Sequence, residues 1–452
     1  MMTARMQRRP LSPPQVLAIS FGGLILLGTA LLSLPHASAS GVPLSLVDAL
    51  FTATSAVCVT GLIVVDTPRA LSLFGQITVL VLIQAGGLGY MTLSTVAAVA
   101  LGKRMSMHER LALREALNLE SMEGLVRFAL TVFRVTAAFE LAGAVLLAWR
   151  WADEFGPARA AYLGLFHSVS AFNNAGFSLF STSLVAYRSD PVVNLTVAGL
   201  IVAGGTGFLV LSDLGRFRRW AALSLHSRLV LIATGLLLAA GTAAVFLLER
   251  SNPNTLGPLS AGDAWLAAFF QSVTARTAGF NTVDIGSLTH PTLFLMIALM
   301  FIGAAPGSTG GGVKVSTLAV TVVALWATIS GRLEAVIFGR RLPRELVARA
   351  FFISLIAFLT LNIVAILLLV AERLTLMPAL FEAASALGTV GLSMSAPDSA
   401  TSLSGTFGPG GKLLVTAMIF MGRVGPLTLA VAVVGRRTPE RVRYPEGRVL
   451  IG

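Results

Sequence analysis

Charged side chains are scarce in this sequence, and their scarcity sets the class of protein. They account for 12% of the 452 residues, whereas hydrophobic residues account for 55%. A soluble globular domain averages about 25% charged residues. Runs such as 192–211 and 351–370 are almost free of charge, and about 20 apolar residues are enough to cross the hydrocarbon core of a bilayer. The composition therefore excludes one large soluble core and predicts a membrane protein.

Cysteine and histidine are also rare. The single cysteine, Cys58, excludes a disulfide framework and a cysteine-based metal site, and we interpret it as a small buried apolar residue. We interpret His167 as a hydrogen-bonded packing residue, because no second histidine is placed to join it in a metal site. The sequence carries no nucleotide-binding fingerprint, Walker motif or His/Cys cluster, so it predicts a protein that is not an enzyme.

The net charge of +12 is carried by basic residues at regular places along the chain. They form five clusters: Arg5, Arg8 and Arg9; Lys103, Arg104, Arg110 and Arg114; Arg216, Arg218, Arg219 and Arg228; Arg332, Arg340, Arg341, Arg344 and Arg349; and Arg436, Arg437, Arg441, Arg443 and Arg448. These are the two termini and every second connection between apolar runs. The positive-inside rule predicts a multi-pass protein of the inner (plasma) membrane with both termini cytoplasmic. Attraction to anionic lipid explains the clusters equally well, and their placement argues against nucleic acid.

Glycine, by contrast, is abundant, with 44 residues, and four glycines recur in similar surroundings. Each follows two residues that are small, β-branched or Asn, and each precedes Leu or Phe. The four stretches are Val59, Thr60 and Gly61; Asn174, Ala175 and Gly176; Thr277, Ala278 and Gly279; and Thr389, Val390 and Gly391. Such repetition at a regular spacing indicates tandem structural units. We predict units at 1–103, 104–219, 220–331 and 332–436, followed by a cytoplasmic tail at 437–452.

Each glycine stretch follows a short apolar segment, at 44–57, 160–172, 263–275 and 377–387. About a dozen helical residues cover ~18 Å of a ~30 Å hydrocarbon core, so these segments are predicted to re-enter the membrane rather than span it. The predicted spanning helices are 16–34, 73–101, 125–149, 192–214, 225–248, an interrupted 291–329, 345–370 and 412–434. The fold class is therefore an all-α membrane protein with eight spanning and four re-entrant helices.

The glycine loops themselves indicate an ion pathway. Irregular backbone at membrane depth is tolerated only where it is buried in protein or lines a watery cavity, so the four loops are expected to share one axis. The partial negative charge at a helix C-terminus favours a cation there. Glycine at positive φ lets consecutive carbonyls point the same way, and a ring of carbonyls can replace the hydration of a cation. We predict a selectivity filter from the residues of the four stretches, with ordinary turn glycines as the alternative.

The same loops carry a family resemblance. Residues 55–61, 171–177, 274–281 and 386–392 resemble the four filter loops of the Trk/Ktr/HKT superfamily of potassium transporters, and the chain most resembles its KtrB group of membrane subunits. The resemblance implies four tandem M1–P-loop–M2 repeats in a pseudo-fourfold arrangement. It implies K+ as the transported ion, bound at the filter only, with Na+ as a further candidate. It also implies a homodimer resting on a cytosolic, KtrA-like nucleotide-binding regulatory ring.

A second candidate site interrupts the sixth spanning segment. Residues 303–314 include a proline and several glycines, which disfavour a continuous helix. We interpret this stretch as an intramembrane loop that gates the pathway, a role that the family resemblance also implies; a packing kink is the alternative. The candidate gate residues are Gly307, Ser308, Thr309, Gly310, Gly311, Gly312 and Lys314. Glycine clusters at 86–89, 204–207 and 422–425 leave both a hinge and close helix packing open.

Three groups of charged residues inside apolar segments require partners. Arg423 lies in an apolar run, where a charge is costly unless it faces a polar cavity or partner. We predict that it forms a positive barrier below the filter and contacts the gating loop, with snorkelling or a carboxylate pair as the alternative. Arg276 adjoins the third loop, and its expected carboxylate partners are Asp48, Asp263, Asp284 and Glu382. Arg127, Arg134 and Glu140 share one helix and are expected to pair with other helices.

Together these observations predict potassium uptake through one pore. The alternative is a secondary transporter of another solute with broken mid-membrane helices, which is built from two inverted halves rather than four repeats in the same direction.

Overall fold

The computed structural model describes residues 13–89, 125–215, 219–395 and 400–425. Several predicted features lie outside these ranges. They are the basic clusters at both termini and at 103–114, residues Arg216 and Arg218, the distal ends of the predicted spans 73–101 and 412–434, and the tail 437–452.

Within the described residues the fold is mostly α-helical, as the sequence predicts. The α-helices are α1 (Pro13–Leu32), α2 (Leu46–Val57), α3 (Thr67–Ala70), α4 (Leu73–Leu88), α5 (Leu125–Phe155), α6 (Pro157–Phe172), α7 (Pro191–Thr206), α8 (Phe208–Leu214), α9 (Leu225–Glu249), α10 (Ala261–Thr274), α11 (His290–Phe301), α12 (Val315–Ile329), α13 (Arg344–Ala371), α14 (Leu376–Gly388) and α15 (Pro409–Val424). Short 3₁₀ turns lie at Pro35–Ala37, Val185–Tyr187, Trp220–Ala222, Ile285–Ser287 and Leu403–Thr406. An antiparallel hairpin joins β1 (Val336–Ile337) to β2 (Arg340–Arg341).

Four helices, α1, α5, α9 and α13, are long and apolar enough to cross a bilayer without interruption. Large apolar side chains project from their surfaces, among them Leu26 on α1, Leu141 on α5, Leu236 on α9 and Ile363 on α13, all more than half exposed. Apolar side chains on the outside of a helix are stable only where lipid or protein covers them. The chain is therefore a membrane protein.

The second long helix of each predicted unit ends or bends at a glycine-rich point. α4 ends at Gly89 (φ +76°) and α15 ends at Gly425 (φ +92°), while a 104° bend at Gly207 (φ +91°) separates α7 from α8. In the third unit, residues 302–314 separate α11 from α12. Backbone with φ in this range cannot continue a right-handed helix, and glycine adopts it without a Cβ clash. The described part of the chain thus contains four continuous helices, the bent pair α7 and α8, and the pair α11 and α12 on either side of residues 302–314, while α4 and α15 are described only as far as Gly89 and Gly425; eight spanning helices stays a prediction.

The half-length helices α2, α6, α10 and α14 form the centre of the fold, close to their predicted bounds. Each carries one phenylalanine at an equivalent position, and all four are fully buried: Phe51, Phe166, Phe270 and Phe381. Ser45 and Ser260 begin α2 and α10 by accepting the backbone N–H of Asp48 and Asp263, which satisfies N–H groups that the first helical turn leaves unpaired.

Contacts between helices follow a cyclic order. Each half-length helix packs against the long helix that precedes it and against the second helix of the preceding unit. The pairs are α2 on α1 and α15, α6 on α5 and α4, α10 on α9 and α7, and α14 on α13 and α11. Because α2 packs against the last helix, α15, the first and last units meet and the order closes on itself.

The β-hairpin marks one end of the bundle. Ile337 packs with Val320 of α12 and Ala350 of α13, and the guanidinium of Arg228 lies 5.6 Å from the centroid of the Phe338 ring. The start of α9, the hairpin and the start of α13 are therefore close together. These contacts gather the described basic residues of the third and fourth clusters at the same end.

Candidate ion pathway

The glycines of the four loops lie against one another. A methyl group added to any of these glycines would lie too close to a carbonyl oxygen of the next loop. The distance from the added methyl to that oxygen would be 2.6 Å from Gly61 to Ala175, 2.8 Å from Gly176 to Ala278, 2.5 Å from Gly279 to Val390 and 2.2 Å from Gly391 to Thr60. Each loop thus touches the next in the order one, two, three, four, one. The structure brings the four loop glycines and the residue before each of them into one ring, and a side chain at any of the glycines has no room.

The backbone alternates in hand along each loop. Positive φ occurs at the residue two before each glycine, namely Val59 (49°), Asn174 (57°), Thr277 (71°) and Thr389 (51°), and again at Gly61 (92°), Gly176 (69°), Gly279 (81°) and Gly391 (95°). The residue between them is not left-handed. This alternation turns successive carbonyls toward the same side. Sequence reasoning expected positive φ at the glycines but missed the left-handed residues that precede them.

A hydroxyl in the last turn of each half-length helix anchors its loop. Ser55 Oγ accepts the Gly61 N–H (3.1 Å), Ser385 Oγ accepts the Gly391 N–H (3.0 Å), Ser170 Oγ donates to the Phe177 carbonyl (2.7 Å) and Thr274 Oγ1 donates to the Phe280 carbonyl (2.5 Å). Two loops are therefore held at the glycine and two at the residue after it. Sequence reasoning missed this role, although the recurrence of a hydroxyl at one register in all four units was the available signal.

The third loop is one residue shorter than the others, as its sequence indicates. The Ala278 N–H bonds to the Thr274 carbonyl, four residues back, whereas the equivalent Thr60 N–H bonds to the Ser55 carbonyl, five residues back. The shorter turn keeps Gly279 in the ring despite the missing residue.

A cavity of about 130 Å³ opens on one side of the ring, and we name it the vestibule. Its lining includes Gly61, Gly176, Gly279, Gly391, Asp66, Ser178, Asn281, Asp284, Ser393 and Ser402. Among the described residues, the carboxylates in this lining are those of Asp66 and Asp284. Carboxylates that line a cavity concentrate cations within it.

The glycine-rich loop, residues 302–314, lies against the other side of the ring. It touches the left-handed residue of three of the four loops. The contacts are Thr309 Oγ1, 3.3 Å from the Asn174 side-chain amide; the Gly311 N–H, which donates to Thr389 Oγ1 at 3.1 Å; and Gly310, where an added methyl group would lie 2.2 Å from Thr277 Oγ1. The loop therefore contacts the ring on the side away from the vestibule.

Bonds to its own chain and to neighbouring helices hold the loop in this place. The Gly303 N–H donates to the Val313 carbonyl at 2.8 Å, which closes the loop at its base. The other predicted gate residues are bonded as follows: the Phe208 N–H to the Gly307 carbonyl (2.9 Å), Ser308 Oγ to the Ala305 carbonyl (2.6 Å), the Thr309 N–H to the Gly204 carbonyl (3.2 Å) and Lys314 Nζ to the Gly310 carbonyl (2.6 Å). Gly312 adopts φ +70° against Gly388 of α14.

Arg423 joins this loop to the first unit. Its Nη1 donates to the Thr309 carbonyl, and its Nη2 donates to the Gly86 carbonyl at 2.6 Å. The guanidinium lies 5.8 Å from the centroid of the Phe21 ring. These neighbours are carbonyls and a ring, and no carboxylate pairs with Arg423 within the described ranges. A positive charge is therefore fixed beside the glycine-rich loop, on the side of the ring away from the vestibule.

Comparison with known proteins gives the family of this chain. Residues 15–438 match the family described as TrkH, cation transport protein. The chain belongs to this family. It is 43% identical over 441 residues to the Ktr system potassium uptake protein B of Vibrio alginolyticus, a match that covers 97% of this chain and 95% of the relative. It is also 40% identical to the protein of the same name from Bacillus subtilis, with 98% and 97% coverage.

Further matches agree with the assignment. This TrkH family member is 37% identical to the potassium/sodium uptake protein NtpJ of Enterococcus hirae over 98% of both chains. Among solved structures, the potassium transporter TrkH from Vibrio parahaemolyticus superposes with a TM-score of 0.75 at 20% identity and covers 96% of this chain and 86% of that one. At that identity the likeness shows a shared fold.

Arg276 departs from its prediction. Its side chain is 7% exposed, and its Nη2 donates to Thr234 Oγ1 at 3.3 Å, while its Nε has no hydrogen-bond partner among the described residues. The four candidate carboxylates bond elsewhere: Asp48 to Lys412, Asp263 to Ser260, Asp284 to Ser287 and Glu382 to Ser393 and Ser404. The prediction that one of these carboxylates pairs with Arg276 is therefore wrong for the described residues.

Glu140 lies behind the second loop and bonds to amides rather than to arginines. Its carboxylate accepts Gln84 Nε2 at 3.1 Å and Asn173 Nδ2 at 2.9 Å. The pairing is interhelical, as expected, because Gln84 belongs to α4 of the preceding unit. Sequence reasoning identified neither partner.

The oxygen atoms at the centre of the site are those of the backbone. In the described ranges, no three His, Cys, Asp or Glu side chains come together as a metal-ligand group. Carbonyl oxygens without a carboxylate cage are ligands of weakly hydrated monovalent cations. The ring is therefore suited to an ion that passes through.

Proposed function

We propose that this chain is the ion-translocating membrane subunit of a bacterial potassium uptake system. The cyclic approach of the four glycine loops carries the proposal, because it forms a single ring of backbone oxygens from four parts of one chain. The printed names of the relatives at 43% and 40% identity, potassium uptake proteins matched over nearly their whole length, support potassium as the ion.

In this proposal the ring is a selectivity filter. Carbonyls of the residues at 59–61, 174–176, 277–279 and 389–391 replace the hydration of K+. The C-termini of α2, α6, α10 and α14 end at these loops, and their partial negative charge stabilises the dehydrated ion. K+ enters from the vestibule, where Asp66 and Asp284 raise its local concentration.

The glycine-rich loop and Arg423 form the gate. Residues 307–312 obstruct the axis on the far side of the filter, and Arg423 adds a positive charge that opposes a cation there. Because the bonds from Thr309 and Gly311 reach the filter loops directly, withdrawal of the loop would open the path. Lys314 holds the loop in its closed form through the Gly310 carbonyl.

The proposal extends to the assembly of the protein. The printed "Ktr system" names of the relatives support a multi-component system, and we propose a homodimer on a cytosolic, KtrA-like nucleotide-binding ring. The described basic residues near the β-hairpin are candidate contacts for that ring or for anionic lipid.

We retain the four units at 1–103, 104–219, 220–331 and 332–436 as the M1–P-loop–M2 repeats. The tail 437–452 and both termini are proposed to be cytoplasmic in the plasma membrane. Na+ is a further candidate ion, supported by the name of the Enterococcus relative.

Growth and flux test this function directly. A bacterial strain without potassium uptake, supplied with this chain and a Ktr-type regulatory partner, is expected to grow at low external potassium. The purified chain in proteoliposomes is expected to take up rubidium and potassium faster than sodium. Failure of both assays with a well-folded, membrane-inserted protein would contradict the proposal.

A further inference from the structure

One register of the half-length helices carries a buried polar residue in every unit. It lies directly after the buried phenylalanine, nine residues before the loop glycine in three units and eight before it in the shorter third unit. The four residues are Thr52 (1% exposed), His167 (0%), Gln271 (1%) and Glu382 (0%). Two of them, in the second and fourth units, hold the chain that follows the filter.

His167 holds the residues that follow Gly176, where the chain leaves the ring on the vestibule side. We call this part of each loop its exit, in the sense of the chain and not of the ion. Its Nδ1 lies 2.8 Å from the Leu163 carbonyl, which can only accept a hydrogen bond, so Nδ1 carries the proton and Nε2 is an acceptor. Nε2 accepts the Ser178 hydroxyl at 3.0 Å and the Leu179 N–H at 3.3 Å. Ser178 lies two residues after Gly176 and lines the vestibule. The neutral imidazole therefore fixes both the hydroxyl and the backbone at the outer end of this loop.

Glu382 does the same for the fourth loop. Its Oε2 accepts the Ser393 hydroxyl at 2.7 Å, and its Oε1 accepts both the N–H (2.9 Å) and the hydroxyl of Ser404. Ser393 lies two residues after Gly391, the position that Ser178 occupies in the second unit. Ser393 Oγ in turn accepts the Leu403 N–H at 2.7 Å. One buried carboxylate thus joins the filter exit to the segment around Ser404.

The segments held by these two residues also hold the neighbouring loops. After the second filter, Ser183 Oγ accepts the Asn281 N–H at 3.2 Å, and the Leu184 N–H donates to the Asn281 carbonyl at 3.0 Å. Asn281 lies two residues after Gly279, so this bond pair fixes the exit of the third loop.

The fourth unit holds the first loop in the same way. Ser402 Oγ accepts the Ile63 N–H at 3.0 Å, and the Ser402 N–H donates to the Ile63 carbonyl at 2.9 Å. Ile63 lies two residues after Gly61. The second and fourth exits therefore bond to His167 and Glu382, and the third and first exits bond to the chain segments that follow those two exits.

The equivalent residues of the first and third units make no such bonds. Thr52 Oγ1 and both polar atoms of the Gln271 side chain have no hydrogen-bond partner among the described residues. The four loops follow one another in cyclic order, and units two and four are opposite each other in it. A buried side chain of the half-length helix thus bonds to the residues after the loop glycine in units two and four, but not in units one and three.

We propose that His167 and Glu382 are a diagonal pair of positioning residues that set the geometry of the filter exits and thereby the discrimination between K+ and Na+. Neither touches the ion; each acts through the chain it holds, directly on its own loop and indirectly on the next. The inference rests on the proposed potassium pathway. It adds that a ring with four similar loops is supported from two opposite corners.

Substitutions at this register separate the pair from its neighbours. His167→Phe keeps a ring but removes the acceptor, and Glu382→Leu removes the carboxylate at similar volume. Each leaves buried hydroxyl and N–H donors without an acceptor, which is unfavourable inside a protein. We expect the ratio of potassium to sodium uptake in proteoliposomes to fall about tenfold in each variant. His167→Gln, which can place a carbonyl near the Nε2 position, is expected to recover most of the lost ratio.

Matched controls lie at the same register. Thr52→Val and Gln271→Met are equally buried changes that remove atoms without partners, and we expect an unchanged uptake ratio. Ser183→Ala and Ser402→Ala break only the bonds to the neighbouring loops, at Asn281 and Ile63. Ser183→Ala should therefore lower the uptake ratio less than His167→Phe does, and Ser402→Ala less than Glu382→Leu does. Size-exclusion profiles in detergent show which variants fold. If His167→Phe or Glu382→Leu does not fold, Glu382→Gln and the two serine variants provide the comparison.

The outcomes decide between the two levels of the proposal. The positioning role would be overturned if folded variants of His167, Glu382 and the two serines kept the wild-type uptake ratio. It would also be overturned if the Thr52 and Gln271 controls lowered the ratio equally. In both cases the proposed potassium uptake of the wild type would stand. A wild-type chain that takes up no potassium would instead overturn the pathway itself, and the inference with it.

Discussion

At the scale of single residues, the filter loops hold a backbone that most of their side chains disfavour. A left-handed conformation costs an L-residue about 1–2 kcal/mol, and Val59, Thr277 and Thr389 are β-branched, the class for which positive φ is least favourable. Such strain persists only where the surroundings over-determine it. Here the surroundings are the hydroxyl bonds from the half-length helices and the contacts with the adjacent loops. The alternation of torsion angles is thus imposed by packing.

Gly176 gives a direct test of that packing. Gly176→Ala would place a methyl group at φ +69°, 2.8 Å from the Ala278 carbonyl oxygen and 3.0 Å from the Cα of Gly279. We expect potassium uptake to fall by more than about tenfold, because each 1.4 kcal/mol corresponds to a factor of ten. Gly199→Ala on α7, where no atom lies within 4 Å of the added methyl, is the control and should transport normally. Wild-type uptake by folded Gly176→Ala would contradict the filter.

Arg423 is the residue at which charge, rather than shape, is expected to limit transport. Arg423→Gln removes the positive charge beside the glycine-rich loop and weakens the bonds to the Thr309 and Gly86 carbonyls. A repulsion of about 1 kcal/mol corresponds to roughly a fivefold change in rate, so we expect faster potassium uptake by about that factor. Arg134→Gln, an exposed arginine on α5, should leave uptake unchanged. Unaltered flux through folded Arg423→Gln would show that this arginine is not a barrier.

At the scale of elements, one glycine pattern joins the filter to the helix breaks. A methyl group on Gly86, Gly204 or Gly422 would lie 1.8–2.2 Å from the carbonyl oxygen four residues before the loop glycine of the same unit. Three residues later, the helix ends or bends at Gly89, Gly207 and Gly425. The sequence left a hinge and close packing open. The structure shows close packing at the first glycine of each pair and a helix end or bend at the second, and a hinge at the second glycine stays a prediction.

The glycine-rich loop is the element whose displacement should open the path. Thr309→Val keeps the size of the side chain but removes the hydroxyl that contacts the Phe172 carbonyl and the Asn174 amide. Loss of about 1 kcal/mol of hydrogen bonding would favour the open form by roughly fivefold, and we expect faster uptake in proteoliposomes. Thr321→Val, whose hydroxyl bonds only to the Thr317 carbonyl within α12, is the matched control. Slower uptake in the Thr309 variant alone would indicate that the loop supports the filter rather than closes it.

At the scale of the whole molecule, the ring closes between parts of the chain that are far apart in sequence. Lys412 Nζ lies 2.7 Å from Asp48 Oδ1, an ion pair between residues 364 positions apart. Arg423 bonds to Gly86, and Gly391 lies against Thr60. The first and last units are thus joined near the starts of α2 and α15, at the ring of glycines and beside the glycine-rich loop.

The sequence reveals what repeats, and it hides what depends on contacts between units. The loop glycines, the half-length helices and the shorter third loop were predictable, because each is written in a local pattern that occurs four times. The left-handed Val59 and the bonds of His167 and Glu382 were not, since their partners follow from how distant segments meet. Arg276 illustrates the same limit: a buried charge predicts a partner, but the sequence does not say that the described neighbour is the Thr234 hydroxyl.

In the proposed filter four units contribute to one ion site, so the ion itself should stabilise the whole ring. A ligand that binds only the folded state stabilises it by about 2.7 kcal/mol at a hundred times its Kd. We expect potassium to raise the unfolding temperature of the detergent-solubilised protein in a concentration-dependent way, with choline at the same ionic strength as the reference. Gly176→Ala, in which one quarter of the site is displaced, should lose this shift even if it folds. Gly199→Ala should keep it. Equal protection of the wild type and Gly176→Ala by potassium would mean that the ion binds away from the four loops, and one shared site could not then explain why the chain folds into four similar parts.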